Sequence, residues 1–182
     1  VGNLPLTSIN PHFWRSVTGS VMQESFIFSD TFAHDIALDS DSLDETRLYQ
    51  AAKMANVDGF IRTLPLGYHT KIGMEGNGVS QGQRQRLLIA RAIYKNPEYI
   101  FFDEATNALD TTNESEIMHH LYDFYHGRTV VVAAHRLSTV KNADQIVVID
   151  QGKVVEVGNH ESLTAKRGAY YNLVKNQLEL GN

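Results

Sequence analysis

The apolar residues of the first segment, Trp14, Val17, Val21, Phe26, Ile27 and Phe28, are scattered around a polar Gln23, a mixed pattern that predicts a short helix and then a short strand running into a loop. From Asp44 to Arg62 the period becomes helical. Leu48, Ala51, Ala52 and Ala55 recur at three- and four-residue spacing, Phe60 and Ile61 follow after a break, and Asp44 and Glu45 suit the positive end of a helix dipole. Leu64 to Val79 carries Pro65, Gly67, Gly73, Gly76 and Gly78 and reads as a turn-rich loop. Ser80 to Lys95 then combines good helix formers with an apolar face at Leu88, Ile89, Ala92 and Ile93, so a long helix begins next to Ser80 and ends at Asn96 and Pro97.

The pattern changes again at Tyr99. Tyr99 to Asp103 lacks polar alternation, which predicts a strand covered on both faces. In Thr111 to Tyr125 the residues Ile117, Met118, Leu121, Phe124 and Tyr125 fall at i, i+1, i+4, i+7 and i+8, a helix that Gly127 closes. Thr129 to Ala134 predicts a second buried strand, ending at His135. Asp144 to Ile149 and Lys153 to Val157 are β-branched runs around the turn residues Gln151 and Gly152, hence a hairpin, and Tyr170 to Leu178 suits a short amphipathic helix. Strand, helix, strand in the middle of the chain implies a parallel α/β sheet, whose ligand site lies at the carboxyl ends of its strands. Asp103, Glu104 and His135 all stand at such ends.

Composition narrows the classes. With 182 residues, 42% of them hydrophobic, and a mean hydropathy of −0.27, the chain can bury one domain's core with room for a subdomain. A net charge of −5 and a pI near 5.9 supply no overall basic field for nucleic acid or anionic lipid. The absence of cysteine excludes disulfides and cysteine-ligated metals and fits a reducing compartment. No apolar stretch approaches the roughly 18 residues needed to cross a bilayer. The first residues, VGNLPLTSIN, lack the basic start and apolar centre of a signal peptide, so a membrane link is expected to run through a partner or another segment. His12, His34, His69, His119, His120, His126 and His160 show no metal-ligand spacing, and no zinc is expected.

Two places carry chemistry. The run YIFFDEAT at 99–106 is an apolar strand that stops at two adjacent carboxylates, Asp103 and Glu104, an arrangement suited to phosphate and metal. At the start of the long helix, Ser80, Gly82 and Gln83 offer backbone N–H groups, a hydroxyl and the positive end of the helix dipole, which suit a γ-phosphate. No GxxxxGK(S/T) sequence occurs anywhere in the chain, so the usual phosphate cradle is missing from it.

Four stretches, VMQESFIFSDT at 21–31, GVSQGQRQRLLIARAI at 78–93, YIFFDEATNALD at 99–110 and VVAAHR at 131–136, together and in this order resemble the nucleotide-binding domain of ATP-binding cassette (ABC) transporters. The resemblance implies a P-loop NTPase-like fold: a parallel sheet flanked by helices, with a small α-helical subdomain over about 35–95 and the rest of the ATPase core in 1–34 and 96–182. It also implies a partial domain that lacks the family's first strands, its Walker A loop and the helix behind that loop. In the resemblance Ser80, Gln81, Gly82 and Gln83 belong to the signature motif and serve the ATP held by an opposite subunit; Gln81 stands where the commonest version has glycine. Asp103 ends the Walker B strand and holds Mg²⁺, and Glu104 is the catalytic base. Ala108 and Asp110 of the D-loop cross the dimer interface. Gln23 of the Q-loop offers an oxygen to Mg²⁺, and His135 is the switch histidine at the γ-phosphate. The loop TKIGMEGNG resembles an exporter cross-talk loop but has Met74 where an acid is usual, with Glu75 one place later.

Further expectations follow from the same resemblance. The cofactors are ATP and Mg²⁺. The partners are a second nucleotide-binding domain, as a homodimer, and a transmembrane domain, with no nucleic acid. The full-length protein works at the cytoplasmic face of the cell membrane, whereas these 182 residues alone are soluble, hydrolyse nothing, and expose apolar surface that favours self-association. WRSVTGSVMQESFIFSDT and GKVVEVGNHESL look like exporters whose membrane and ATPase domains are fused, with peptide or bacteriocin secretion, often with an appended peptidase, as the subtype. Two other readings stand beside this one: a non-catalytic dimerisation module, and an ATPase of DNA repair or chromosome maintenance, which shares the signature and Walker B but carries a long coiled-coil insertion that is not seen here.

Overall fold

Asn10 accepts hydrogen bonds from the N–H groups of His12 (2.8 Å) and Phe13 (3.4 Å), and Pro11 follows with φ already suited to a helix, so α1 forms over Pro11–Val17. The structure is a computed structural model that describes residues 1–22, 25–38, 42–73, 78–103, 111–134 and 140–180. It divides into two compact units, Val1–Val131 and Val132–Asn182.

In the first unit β1 (Thr18–Val21) lies parallel to β2 (Tyr99–Asp103), with Thr18 opposite Tyr99 and Val21 opposite Phe102. With β3 (Thr129–Ala133) they form a three-stranded sheet in the order β1-β2-β3, so β2 is central. The parallel α/β arrangement expected from the sequence is therefore present. The helices are α2 (Phe32–Ala37), α3 (Glu45–Met54), α4 (Asp58–Thr63), α5 (Gln81–Lys95) and α6 (Thr111–Tyr125). Helix α5 is the spine of this unit: Leu87, Leu88, Ile89, Ala90, Ala92, Ile93 and Tyr94 are buried, which includes every residue of its predicted apolar face. The Tyr94 hydroxyl accepts from the Asp44 N–H (3.0 Å), while the Asp44 carboxylate caps α3 by accepting from the Arg47 N–H (3.0 Å). At the other end of the sheet, Arg128 donates to the carbonyls of Pro97 (3.1 Å) and Phe124 and to the Asn96 side chain (2.7 Å). Its guanidinium lies 4.1 Å from the centre of the Phe124 ring.

Two expectations for the strands need correction. In β2 only Ile100 and Phe102 are buried, while Tyr99 and Phe101, on the opposite face, are half-buried. The first face is met by α6, where Tyr125 stands 5.8 Å from Phe102; the second is met at Tyr99 by Trp14 (5.0 Å) of α1, a helix of 7 residues that cannot cover a whole strand. In β3 no residue is fully buried: Val130 and Val132 are half-buried and Thr129, Val131 and Ala133 exposed.

The second unit is built on the expected hairpin, β4 (Ile146–Asp150) antiparallel to β5 (Lys153–Gly158). Gln151 (φ 47°) and Gly152 (φ 74°) make a turn with two positive φ angles, which suits the twist of the strands. Ile146 and Val148 form a small core with Leu163 of α7 (His160–Lys166) and Tyr170 of α8 (Ala169–Leu180); Val147, Ile149, Val154 and Val157 face outward. Glu156 is buried among them because it has work there: its carboxylate accepts from the Tyr170 N–H (2.8 Å) at the start of α8 and lies 3.5 Å from Lys166 Nζ. Gly168 leaves it room, since a Cβ at that position would stand 1.9 Å from the Glu156 Oε1. The Tyr170 N–H, foremost, holds the Glu156 carboxyl below its ordinary value of 4.5. A depressed folded pKa means that this contribution is complete above about pH 4.5 and is lost as the pH falls through the lower folded value. Gly168→Ala displaces the carboxylate. The variant is expected to melt below the parent at neutral pH, with the difference in Tm shrinking as the pH drops through 4.5; calorimetry at both pH values checks this.

Candidate functional site

Ser80 is the N-cap of α5, with extended backbone (φ −69°, ψ 164°). Its hydroxyl oxygen accepts from the Gln83 N–H (3.2 Å), and the Gln83 side chain accepts in return from the Ser80 N–H (2.8 Å), a capping box. Two groups of the predicted phosphate grip are thus engaged within the helix start. Those left over are the Ser80 O–H and, by helix geometry, the N–H groups of Gln81 and Gly82, the first two helical positions, which have no partner inside the helix. Ser80 and Gln81 are exposed, Gly82 and Gln83 half-buried. The end of α5 therefore presents donors and positive dipole to the surface.

Asp103 is the last residue of β2 and is exposed, so the apolar strand delivers a carboxylate to the carboxyl edge of the parallel sheet. That edge is where ligands of such sheets bind. Among the described residues no three His, Asp or Glu side chains gather. Gln23, Glu104, Asp110 and His135 lie outside the described residues, as do Met74, Glu75 and Ala108.

A cluster that sequence reasoning passed over lies between α2, α5 and the segment that follows Gln23. Asp35 of α2 is fully buried, and its Oδ1 accepts from the Phe28 N–H (2.8 Å) and from Arg91 Nη2 (2.7 Å). Arg91 of α5 also donates through Nε to the Asp35 carbonyl (2.9 Å) and through Nη1 to the Phe26 carbonyl (3.0 Å), and its guanidinium lies 5.2 Å from the centre of the Phe28 ring. Burial, the largest influence, raises the Asp35 carboxyl above its ordinary range even though the Arg91 charge opposes this. The rings of Phe26 and Phe28 meet edge to face at 5.4 Å and are 56% and 46% exposed, while Ile27 between them is buried. The readable signal was a lone arginine flanked by buried residues of α5 and an aspartate set among Phe32, Ala33 and Ile36.

Comparison with known proteins agrees with this geometry. The ABC transporter family profile matches residues 2–107. The chain is 46% identical over 177 residues to an ATP-dependent lipid A-core flippase of Saccharophagus degradans, covering 97% of this chain and 30% of the flippase. It is 45% identical over 175 residues to the toxin RTX-III translocation ATP-binding protein of Actinobacillus pleuropneumoniae, covering 96% of this chain and 24% of that protein. Among solved structures, a bacterial Atm1-family ABC exporter with ATP bound superposes with a TM-score of 0.84 at 40% identity, over 90% of this chain and 28% of the exporter's. The 182 residues thus span less than a third of the length of these relatives. With the match extending over more than half its length, and with the parallel sheet, the capped helix α5 and the acid-tipped strand in place, the chain belongs to the ABC transporter family.

Proposed function

We propose that this chain forms the signature-motif and Walker B part of an ATP-hydrolysing domain that drives export through a membrane-embedded partner. The observation that carries the reading is the pairing, in one unit, of an outward-facing capped helix start at Ser80 with an exposed acid at the carboxyl edge of the central parallel strand, Asp103. Asp103 offers a hard oxygen to Mg²⁺; when bound, the ion offsets charge on the transferring phosphoryl group. Glu104, the next residue, polarises the attacking water. Gln23 and His135 orient that water and the γ-phosphate. Ser80 O–H and the N–H groups of Gln81 and Gly82 grip the γ-phosphate of a nucleotide held by a second copy of the domain, with Gln83 holding the helix start in shape and Asp110 reaching across the same interface.

A homodimer of nucleotide-binding domains beneath a transmembrane domain, at the cytoplasmic face of the membrane, is the assembly this implies. Among the described residues no helix is long and apolar enough to cross a membrane. The relatives' descriptions as flippase and toxin translocator favour export over DNA repair. Titration of the 182-residue chain with Mg-ATP by calorimetry tests the half-site reading. No heat of binding is expected at micromolar concentrations, and micromolar affinity in this chain alone would show that Ser80 and Asp103 are not halves of a site shared with other segments.

A further inference from the structure

We propose that Arg91 is a positioning residue: it ties the signature helix to the segment behind Gln23, so that the phosphate-gripping helix start and the Gln23 loop move as one body. The inference rests on the ATPase reading above. From Ser25 to Phe28 the backbone forms neither helix nor strand, and backbone pairing begins only at Asp30, whose carbonyl accepts from the Ile72 N–H. The middle of the segment is held by the buried side chain of Ile27, by the Phe28 N–H on Asp35 and by the guanidinium of Arg91, and its ends by Ser25 Oγ on Met22 and by the Ile72 N–H donating to the Asp30 carbonyl (2.8 Å). That guanidinium is divided between two tasks. Nε and Nη2 grip Asp35, 56 residues away in sequence, while Nη1 reaches the Phe26 carbonyl, 65 residues away and three beyond Gln23. The Phe28 N–H closes the ring of contacts by donating to the same Asp35 oxygen that Arg91 holds.

On the other side of the strut, Arg91 stands roughly 15 Å along α5 from the capped end at Ser80. A helix of 15 residues with a buried face behaves as a rod at that length, so a shift of the helix start carries the Phe26 carbonyl with it. Only a planar fork can serve the aspartate and the carbonyl together; a lysine ammonium, a point charge on a flexible stem, retains the ion pair and gives up the carbonyl. This separates the strut from the simple burial of a charge pair, for which lysine would suffice.

The test uses the exporter polypeptide that carries this chain, with Mg-ATP hydrolysis and Tm measured for Arg91→Lys, Gln23→Ala and the double variant. Arg91→Lys is expected to lower kcat roughly tenfold, with KM for Mg-ATP changed by less than about twofold and Tm nearly unmoved. In the double variant the two losses should overlap, because Arg91 acts through the loop that bears Gln23; independent residues multiply. The pair Arg91→Met with Asp35→Asn removes the buried charges together with the strut and should show the same drop in kcat. Full kcat in Arg91→Lys, multiplied losses in the double variant, or a loss that only follows a lowered Tm would each overturn the strut. Unchanged hydrolysis in Gln23→Ala would overturn it too, yet leave the ATPase reading standing, since that reading falls only if Glu104→Gln hydrolyses ATP at the parent rate.

Discussion

Glu104→Gln, made in the full-length polypeptide that carries this chain, is expected to leave Mg-ATP binding in place and to lower turnover by ~10²–10⁴-fold, the range typical of losing a general base, the role proposed for Glu104. The substitution keeps the shape of the side chain and both its polar atoms but removes the basicity, so what disappears is proton acceptance from the attacking water. Asp103, one residue earlier, should behave differently. It stands at the exposed strand end and is the acid proposed to face the metal, so its replacement by Ala is expected to weaken Mg-ATP binding as well as turnover. Steady-state phosphate release together with nucleotide binding on each variant separates the two acids; undiminished hydrolysis in Glu104→Gln removes that residue from the role.

The largest effect on stability is expected at Asp35. Its carboxylate is fully buried and holds both the Phe28 N–H and the Arg91 guanidinium, so Asp35→Ala leaves a guanidinium whose side chain is only 16% exposed facing a cavity, and strands a backbone donor. Removing one partner of a buried ion pair costs about 3–5 kcal/mol. Set against a total of roughly 5–15 kcal/mol for a domain, the variant should populate unfolded chain without any denaturant. Urea unfolding followed by far-UV circular dichroism checks this. Asp35→Asn, which can still accept from Phe28, should lose much less. It should also change the pH response. Because burial raises the folded carboxyl above its ordinary value of 3.8, its protonated form favours folding: that contribution is complete below 3.8, declines as the pH rises through the raised value, and is absent from the asparagine variant.

What the sequence made legible was whatever repeats over several turns or ends in a marked residue. Helix α5 with its cap at Ser80, strand β2 with its terminal Asp103, helix α6 and the β4-β5 hairpin all fall where periodicity and turn residues placed them. Helices α2 and α7 escaped because six or seven residues complete fewer than two turns, too few for their apolar positions to establish a period. Their clearest local signals were the caps, Thr31 accepting from the His34 N–H, and Asn159 paired reciprocally with Ser162. The partial exposure of β2 and β3 was hidden for another reason: an apolar strand reports what its residues prefer, while burial depends on which helices reach it. Ser80 and Asp103 were readable because their chemistry is written in adjacent residues. The Arg91–Asp35 pair was not, since partners 56 residues apart leave no mark on a local pattern.

Surface turns are ordinarily where a chain tolerates extra residues or a new pair of ends. The turns at Asn96–Pro97 and at His126–Gly127 are exceptions, because the single guanidinium of Arg128 spans both, gripping Asn96 and the Pro97 carbonyl on one side and the Phe124 carbonyl on the other. Lengthening either connection pulls that side chain off one set of partners, so these are poor places to graft a tag or permute the chain, although Asn96, His126 and Gly127 are exposed.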